Sequence, residues 1–158
     1  MGRVNGLRAL ADEPLRAGPE RDRARPGTRL ARRGRRGIGA GGGHPLADCI
    51  FCRIAAGQIP ADIVYQDELA VAFRDVDPQA PVHVLVIPRT HWAGLDALSP
   101  EGDALLGRLL GLCRVLAPRL GLDGGYRVVV NTGLDGGQTV GHLHLHLLGG
   151  RPMTWPPG

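Results

Sequence analysis

From residue 48 onward, the apolar positions of the chain fall into short runs separated by turn residues. Cys49 to Ala56 has room for one short helix. Ile63-Val64-Tyr65 and Leu69 to Phe73 read as two strands, turned at Gln66-Asp67-Glu68. His83-Val84-Leu85-Val86-Ile87 predicts a third strand, nearly all apolar and stopped by Pro88. The period then changes. Leu105, Leu109, Leu112, Cys113, Leu116 and Leu120 recur at helical spacing. Ser99 stands before them as N-cap, Pro100 takes the first helical position, and Glu101 and Asp103 suit the positive helix end. Pro118 is expected to kink the last turn and Gly121 to end it. Tyr126 to Asn131 predicts a fourth strand and His142 to Leu148 a fifth. Short strands, one long helix, a short N-terminal helix and few crossovers predict an α+β domain on a mainly antiparallel five-stranded sheet.

Residues 1–47 show no such period, and composition explains why. Arg32-Arg33-Gly34-Arg35-Arg36 is followed by Gly39-Ala40-Gly41-Gly42-Gly43, which offers little apolar surface to offset chain entropy. This segment is expected to be a disordered extension, with residues 48–158 forming the domain. A basic arm for RNA or a membrane surface is its functional alternative. Charge divides the same way. The front segment holds 11 arginines against four acids, giving +7, while the remainder holds 8 arginines against 11 acids, giving −3. The net charge of +4 therefore says nothing in favour of nucleic-acid binding by the folded part. No run approaches 18 apolar residues, so no membrane span is expected.

Candidate chemistry concentrates in the last strand. His142, His144 and His146 share one face, because side chains alternate along a strand, and Leu143, Leu145 and Leu147 point to the core. A single zinc held by all three is disfavoured by distance. Residues two apart on a strand rise about 6.6 Å and four apart about 13 Å, while zinc draws its nitrogens to about 2.0–2.1 Å. Nucleophilic and acid–base work at phosphorus fits better, since imidazole titrates near neutrality and attacks phosphorus well. The preceding loop, Asn131-Thr132-Gly133-Leu134-Asp135-Gly136-Gly137-Gln138-Thr139, has the glycines that let backbone N–H groups approach an anion.

Cys49-Ile50-Phe51-Cys52 is a second constellation. A C-x-x-C alone is ambiguous between a redox dithiol and a metal site. No thioredoxin-like pattern surrounds it, and two thiolates need two further ligands to close a tetrahedral zinc site, for which His91 is a candidate. With only three cysteines, a reducing compartment, by default the cytoplasm, is expected. Cys113 reads as a core residue, His83 as structural or near the site, and His44 as a bystander.

The run His142-Leu143-His144-Leu145-His146-Leu147-Leu148 resembles the motif of the histidine-triad (HIT) family. The likeness extends to Asp75-Val76-Asp77-Pro78-Gln79-Ala80-Pro81-Val82-His83, Val86-Ile87-Pro88, Gly136-Gly137-Gln138 and the tail from Leu148 to Gly158, which is similar to the Hint branch of histidine-triad nucleotide-binding proteins. The resemblance implies a HIT-like fold whose sheet continues across a homodimer. It implies hydrolysis of purine nucleoside phosphoramidates, such as adenosine 5′-monophosphoramidate, with aminoacyl adenylates as a further substrate class, and no organic cofactor. His144 would be the nucleophile, His146 would contact the phosphate, His142 would support them, and Thr139 would stand near the leaving group. Asp75 would bind the ribose hydroxyls, with Ile50, Phe51, Phe73 and Val76 around the base. Asn131, Gly137 and Gln138 would lie on the phosphate side, and Trp155 near the partner's site. In zinc-containing members the C-x-x-C is joined by residues matching His91 and His142, so the resemblance implies a structural zinc on Cys49, Cys52, His91 and His142. Gly141 and Thr154 depart from the residues, Tyr and His, that relatives often carry. A dinucleoside polyphosphate hydrolase or nucleotidyl transferase of the same superfamily, and a nucleotide-binding interaction protein, are the competing readings.

Overall fold

A computed structural model describes residues 48–157. The expected disordered extension over 1–47, its basic-arm alternative and His44 lie outside the described residues. The described chain forms helix α1 (Ile50–Ala55), strands β1 (Ile63–Gln66), β2 (Ala70–Arg74) and β3 (Val82–Pro88), helix α2 (Asp103–Arg119), and strands β4 (Tyr126–Val129) and β5 (Leu145–Gly149). The five strands make one sheet in the order β1-β2-β3-β5-β4, every neighbour antiparallel. This is the predicted α+β architecture.

Strand parity sorts the side chains into two layers. Ala70 and Ala72 of β2, Val84 and Val86 of β3, and Leu145 and Leu147 of β5 pack with Leu109, Leu112, Cys113 and Leu116 of α2. The alternate residues Val71, Phe73, Leu85 and Ile87 pack with Cys49 and Phe51 around α1. Strand β3 is central and covered on both faces, which explains its unbroken apolar run. The histidine face of β5 therefore meets α1, and α2 fills the opposite side. Where β5 passes the end of α2, a Cβ on Gly149 would stand 2.5 Å from Leu122 Cδ2, so a larger residue there would have to displace the buried Leu122 side chain.

Several boundaries differ from expectation, each for a local reason. The segment after Ser99 opens as a single 3-10 turn, Pro100–Gly102, and the α-helix starts only at Asp103. Ser99 does not cap the backbone; its hydroxyl bonds the Glu101 carboxyl and holds that acid below its ordinary range. Pro118 sits inside the last turn of α2, and Gly121, at φ +74°, reverses the chain just beyond it. Strand β4 ends at Val129 rather than Asn131, and β5 begins at Leu145 rather than His142. Pairing of β3 with β5 stops at Val86–Leu145, and the Leu143 N–H turns instead to the Trp92 carbonyl at 2.6 Å.

Asp67 holds the β1–β2 turn. Its Oδ1 accepts the N–H groups of Leu69 (2.8 Å) and Ala70 (2.7 Å), and its Oδ2 accepts Tyr65 Oη–H (2.8 Å) and Arg108 Nη2–H (2.6 Å). Desolvation works to raise this carboxyl, but the Arg108, backbone and Tyr65 bonds outweigh it and keep it below the ordinary range. Asp67→Ala strips a partner from each of these donors. It is expected to cost about 2–3 kcal/mol, read as a lower urea midpoint at unchanged m-value.

Candidate active site and metal centre

The imidazoles line up along the α1 face of the sheet. Ring centroids are 5.0 Å apart for His91–His142, 4.9 Å for His144–His146 and 5.1 Å for His83–His146. Phe51 of α1 fills the gap, edge-on to His142 at 5.9 Å and to His144 at 5.3 Å. Only His146 belongs to β5, yet side chains keep alternating through the extended approach, so Leu143 still packs under α2.

Hydrogen bonds to the backbone fix which nitrogen of each neutral ring carries its hydrogen, since a carbonyl can only accept and an amide N–H only donate. His144 Nδ1 lies 2.6 Å from the His142 carbonyl oxygen, so the hydrogen is on Nδ1 and Nε2 presents a bare lone pair. His142 Nε2 lies 3.0 Å from the Pro88 carbonyl oxygen, so its bare lone pair is on Nδ1. His83 Nδ1 accepts the Gln79 N–H at 3.1 Å, which puts the hydrogen of His83 on Nε2. That Nε2–H meets His146 Nδ1 at 2.9 Å, with Asp75 Oδ2 3.3 Å away. His146 therefore carries its hydrogen on Nε2, a buried donor with no partner among the described residues. The site presents one free lone pair and one free N–H, on adjacent rings.

Burial favours the neutral form of three of these rings, His83, His142 and His146. It pushes the His146 imidazole down to about 4, the His144 and His83 rings adding to the effect and the Asp75 carboxylate opposing it. His83 is also lowered by burial, against the pull of Asp75 and Asp77. Burial brings His142 down to about 4, its Pro88 bond working the other way and His91 and His144 adding to the fall. Such a ring is neutral in the fold but takes up a proton near 6.5 when unfolded, so its stabilisation is present above pH 6.5 and is lost as pH falls toward 4. For His142, which is fully buried, this amounts to roughly 3 kcal/mol. For the metal-free chain, the thermal midpoint is expected to drop steeply between pH 6.5 and pH 4. A flat midpoint across that window would contradict a neutral buried ring.

The four predicted metal ligands converge. Cys49 Sγ and Cys52 Sγ each lie 3.5 Å from His142 Nδ1, and Cys52 Sγ lies 3.3 Å from His91 Nδ1. All four donor atoms fall within 4.8 Å of one another. A tetrahedral zinc, at about 2.3 Å from sulfur and 2.0–2.1 Å from nitrogen, sets its ligand atoms about 3.4–3.8 Å apart. The bare Nδ1 of His142 and the carbonyl behind its Nε2–H complete the fit. Burial, with Cys49 alongside, pushes the Cys52 thiol up to about 11, so an arriving metal would displace its proton. Asp75, His83 and His146 satisfy the same distance test. There the Gln79 N–H reserves the wrong nitrogen of His83, and the group is a hydrogen-bond relay rather than a ligand set.

The remaining predicted residues are placed unevenly. Phe51 and Phe73 are buried edge-to-face at 5.6 Å, whereas Ile50 is half-exposed and Val76 lies fully on the surface. Asp75 also turns Oδ1 to the Asp77 N–H. Thr139 lines a cavity of about 450 Å³ with Cys49, Ile50, His91 and Gly141. Gln138 is committed to the loop: its amide nitrogen donates to the Ala93 and Val140 carbonyls, and its oxygen accepts the Gly133 N–H. Gly137, at φ +73°, turns the loop and donates its N–H to Leu134; Asn131 follows β4, half-buried. Trp155 is exposed, and Arg127 holds the neighbouring Thr154 carbonyl. His83 is the residue that sequence reasoning undervalued. Its signal was an imidazole in an apolar strand, which once buried must find polar partners.

Comparison with known proteins agrees with this geometry. The HIT domain family model matches residues 56–153. An uncharacterized HIT-like protein of Synechococcus elongatus is 59% identical over 111 residues, covering 70% of this chain and 97% of that protein. The 14 kDa zinc-binding protein of Zea mays is 49% identical over 111 residues, covering 69% of this chain and 87% of its own. The crystal structure of a HIT family hydrolase from Legionella pneumophila superposes with a TM-score of 0.69 at 50% identity, over 70% of this chain and all of that one. The chain belongs to the HIT domain family.

Proposed function

We propose that the protein is a hydrolase of the Hint type that cleaves purine nucleoside phosphoramidates through a nucleotidyl-His144 intermediate. The observation that carries this reading is the complementary pair of free nitrogens: the lone pair on His144 Nε2 and the unpartnered Nε2–H of His146. In the first step a bond forms from His144 Nε2 to phosphorus while the phosphorus–nitrogen bond breaks, and the leaving amine takes its proton from solvent water. A water then attacks the phosphorus, the bond to Nε2 breaks, and the nucleoside monophosphate leaves as the attacking water gives its proton back to solvent and the neutral ring is restored. His146 donates to a phosphoryl oxygen without changing charge, because its ring stays neutral at pH 7. Asp75 on the ribose, Thr139 near the leaving group, and Ile50, Phe51, Phe73 and Val76 around a purine are assigned by resemblance.

Zinc on Cys49, Cys52, His91 and His142 would fix the turn before the triad, leaving His144 for catalysis. The relative from Zea mays, named as zinc-binding, supports a metal in this family. Strand β4 forms one edge of the sheet, its outer side without a strand partner among the described residues, and is the proposed seam of a homodimer. No helix of the described residues is long and apolar enough to cross a membrane. The free thiols suit a reducing compartment, the cytoplasm.

A substrate panel tests the reading. Adenosine 5′-phosphoramidate is expected to show a kcat/KM at least about tenfold above aminoacyl adenylate or diadenosine polyphosphate. Preference for the diadenosine polyphosphate would shift the assignment to the other branch of the superfamily, and tight nucleotide binding without turnover would make the protein a binding module.

A further inference from the structure

His142 belongs to two sites at once, and the geometry of that sharing has a consequence for the nucleophile. Its ring lies between the Cys49 and Cys52 sulfurs on the Nδ1 side and the Pro88 carbonyl on the Nε2 side. Its own carbonyl oxygen accepts the Nδ1–H of His144 at 2.6 Å. That last bond decides which nitrogen of His144 is bare. The sheet does not hold the carbonyl in place, because β5 begins only at Leu145 and its pairing with β3 ends there. Two backbone bonds, His142 N–H to Val140 and Leu143 N–H to Trp92, and the tethered ring of His142 hold it instead.

We propose that the Cys49–Cys52–His91–His142 metal site is a positioning device for the nucleophile, with His142 as the link that locks His144 in its Nδ1–H form. Loaded, the ion fastens the Nδ1 side of the His142 ring to three residues from two other parts of the chain, and the Pro88 carbonyl fastens the opposite side. Unloaded, that nitrogen has as its hydrogen-bonding neighbours the Cys49 and Cys52 thiol groups, which are weak donors. The ring can then change tautomer or turn. The 142–143 peptide loses an anchor, and His144 divides its hydrogen between its two nitrogens. Only the fraction with a bare Nε2 can attack phosphorus. His142, Cys49, Cys52 and His91 touch neither substrate nor reacting atoms in this scheme; they act through His144.

The proposal rests on His144 being the nucleophile, and its test separates the two. The full chain is stripped with chelator and reloaded with Zn²⁺, and each form is examined by long-range proton–nitrogen NMR of its histidine rings and by steady-state kinetics on adenosine 5′-phosphoramidate. The loaded form is expected to show His144 as a fixed Nδ1–H ring. The stripped form is expected to show averaged ring nitrogens and a kcat about tenfold lower, with KM within about twofold, as removal of outer-sphere supports commonly does. Reloading should restore both. His91→Asn, which weakens the site without touching the bonds of His142, gives the same two readouts should stripping unfold the chain. An Nδ1–H signal and kcat unchanged on stripping, with His144→Ala inactive, would overturn the positioning role alone. Turnover retained by His144→Ala would overturn the nucleophile assignment instead, whatever the metal does.

Discussion

Replacing His144 with alanine is expected to reduce turnover of adenosine 5′-phosphoramidate by on the order of 10⁴-fold while nucleotide affinity changes only a few-fold. The size follows from the kind of group removed. A nucleophile provides a separate, lower path, and without it the reaction must wait for direct attack by water. The smallness of the binding change follows from geometry: the described polar contact of His144 is to the His142 backbone, and its ring packs on Phe51 and His146. His146→Ala removes one N–H donor instead, and is expected to cost on the order of 10²–10³-fold in kcat. Isothermal titration with AMP beside steady-state kinetics reads both quantities. Turnover of His144→Ala near that of the unmodified chain would end the covalent mechanism.

Removal of metal should have the largest effect on stability. Protein purified without chelator is expected to contain one zinc per chain by elemental analysis. Stripping is expected to lower the thermal midpoint by roughly 10–15 °C, since a ligand at about a thousand times its Kd stabilises by about 4 kcal/mol. The ligands explain why so small a site matters. Cys49 and Cys52 flank the first residues of α1, His91 follows β3, and His142 precedes β5, with sequence separations of 39 to 93 residues. One ion would therefore pin α1 over the sheet, and with it Phe51 against His142 and His144. Protein that is metal-free as purified, with a midpoint indifferent to added zinc, would count against the site.

Much of the domain was legible in the order of residues. The apolar parity of β2, β3 and β5 matched the two layers, and the leucine spacing of residues 105–120 matched the buried face of α2. What local pattern left open was the choice of partner. Ser99 reads as a helix cap and instead bonds Glu101. Gln138, which the resemblance sets on the phosphate side, also bonds the backbone of Gly133, Val140 and the distant Ala93. Local pattern states what a polar group can do but not which partner lies nearest in space.

The histidine run shows the same division. Alternation alone placed His142, His144 and His146 on one face, and rise per residue alone argued against a common zinc. Both are properties of a single extended chain, so sequence was sufficient to determine them. Three further facts needed the fold. The Pro88 carbonyl arrives from β3, Gln79 sets the tautomer of His83, and His83 in turn sets that of His146. All three are contacts within 3.1 Å; two join residues 54 and 63 positions apart, and the third closes the short turn from Gln79 to His83. A neutral imidazole has one hydrogen and one lone pair, and only its neighbours in space decide which nitrogen holds which.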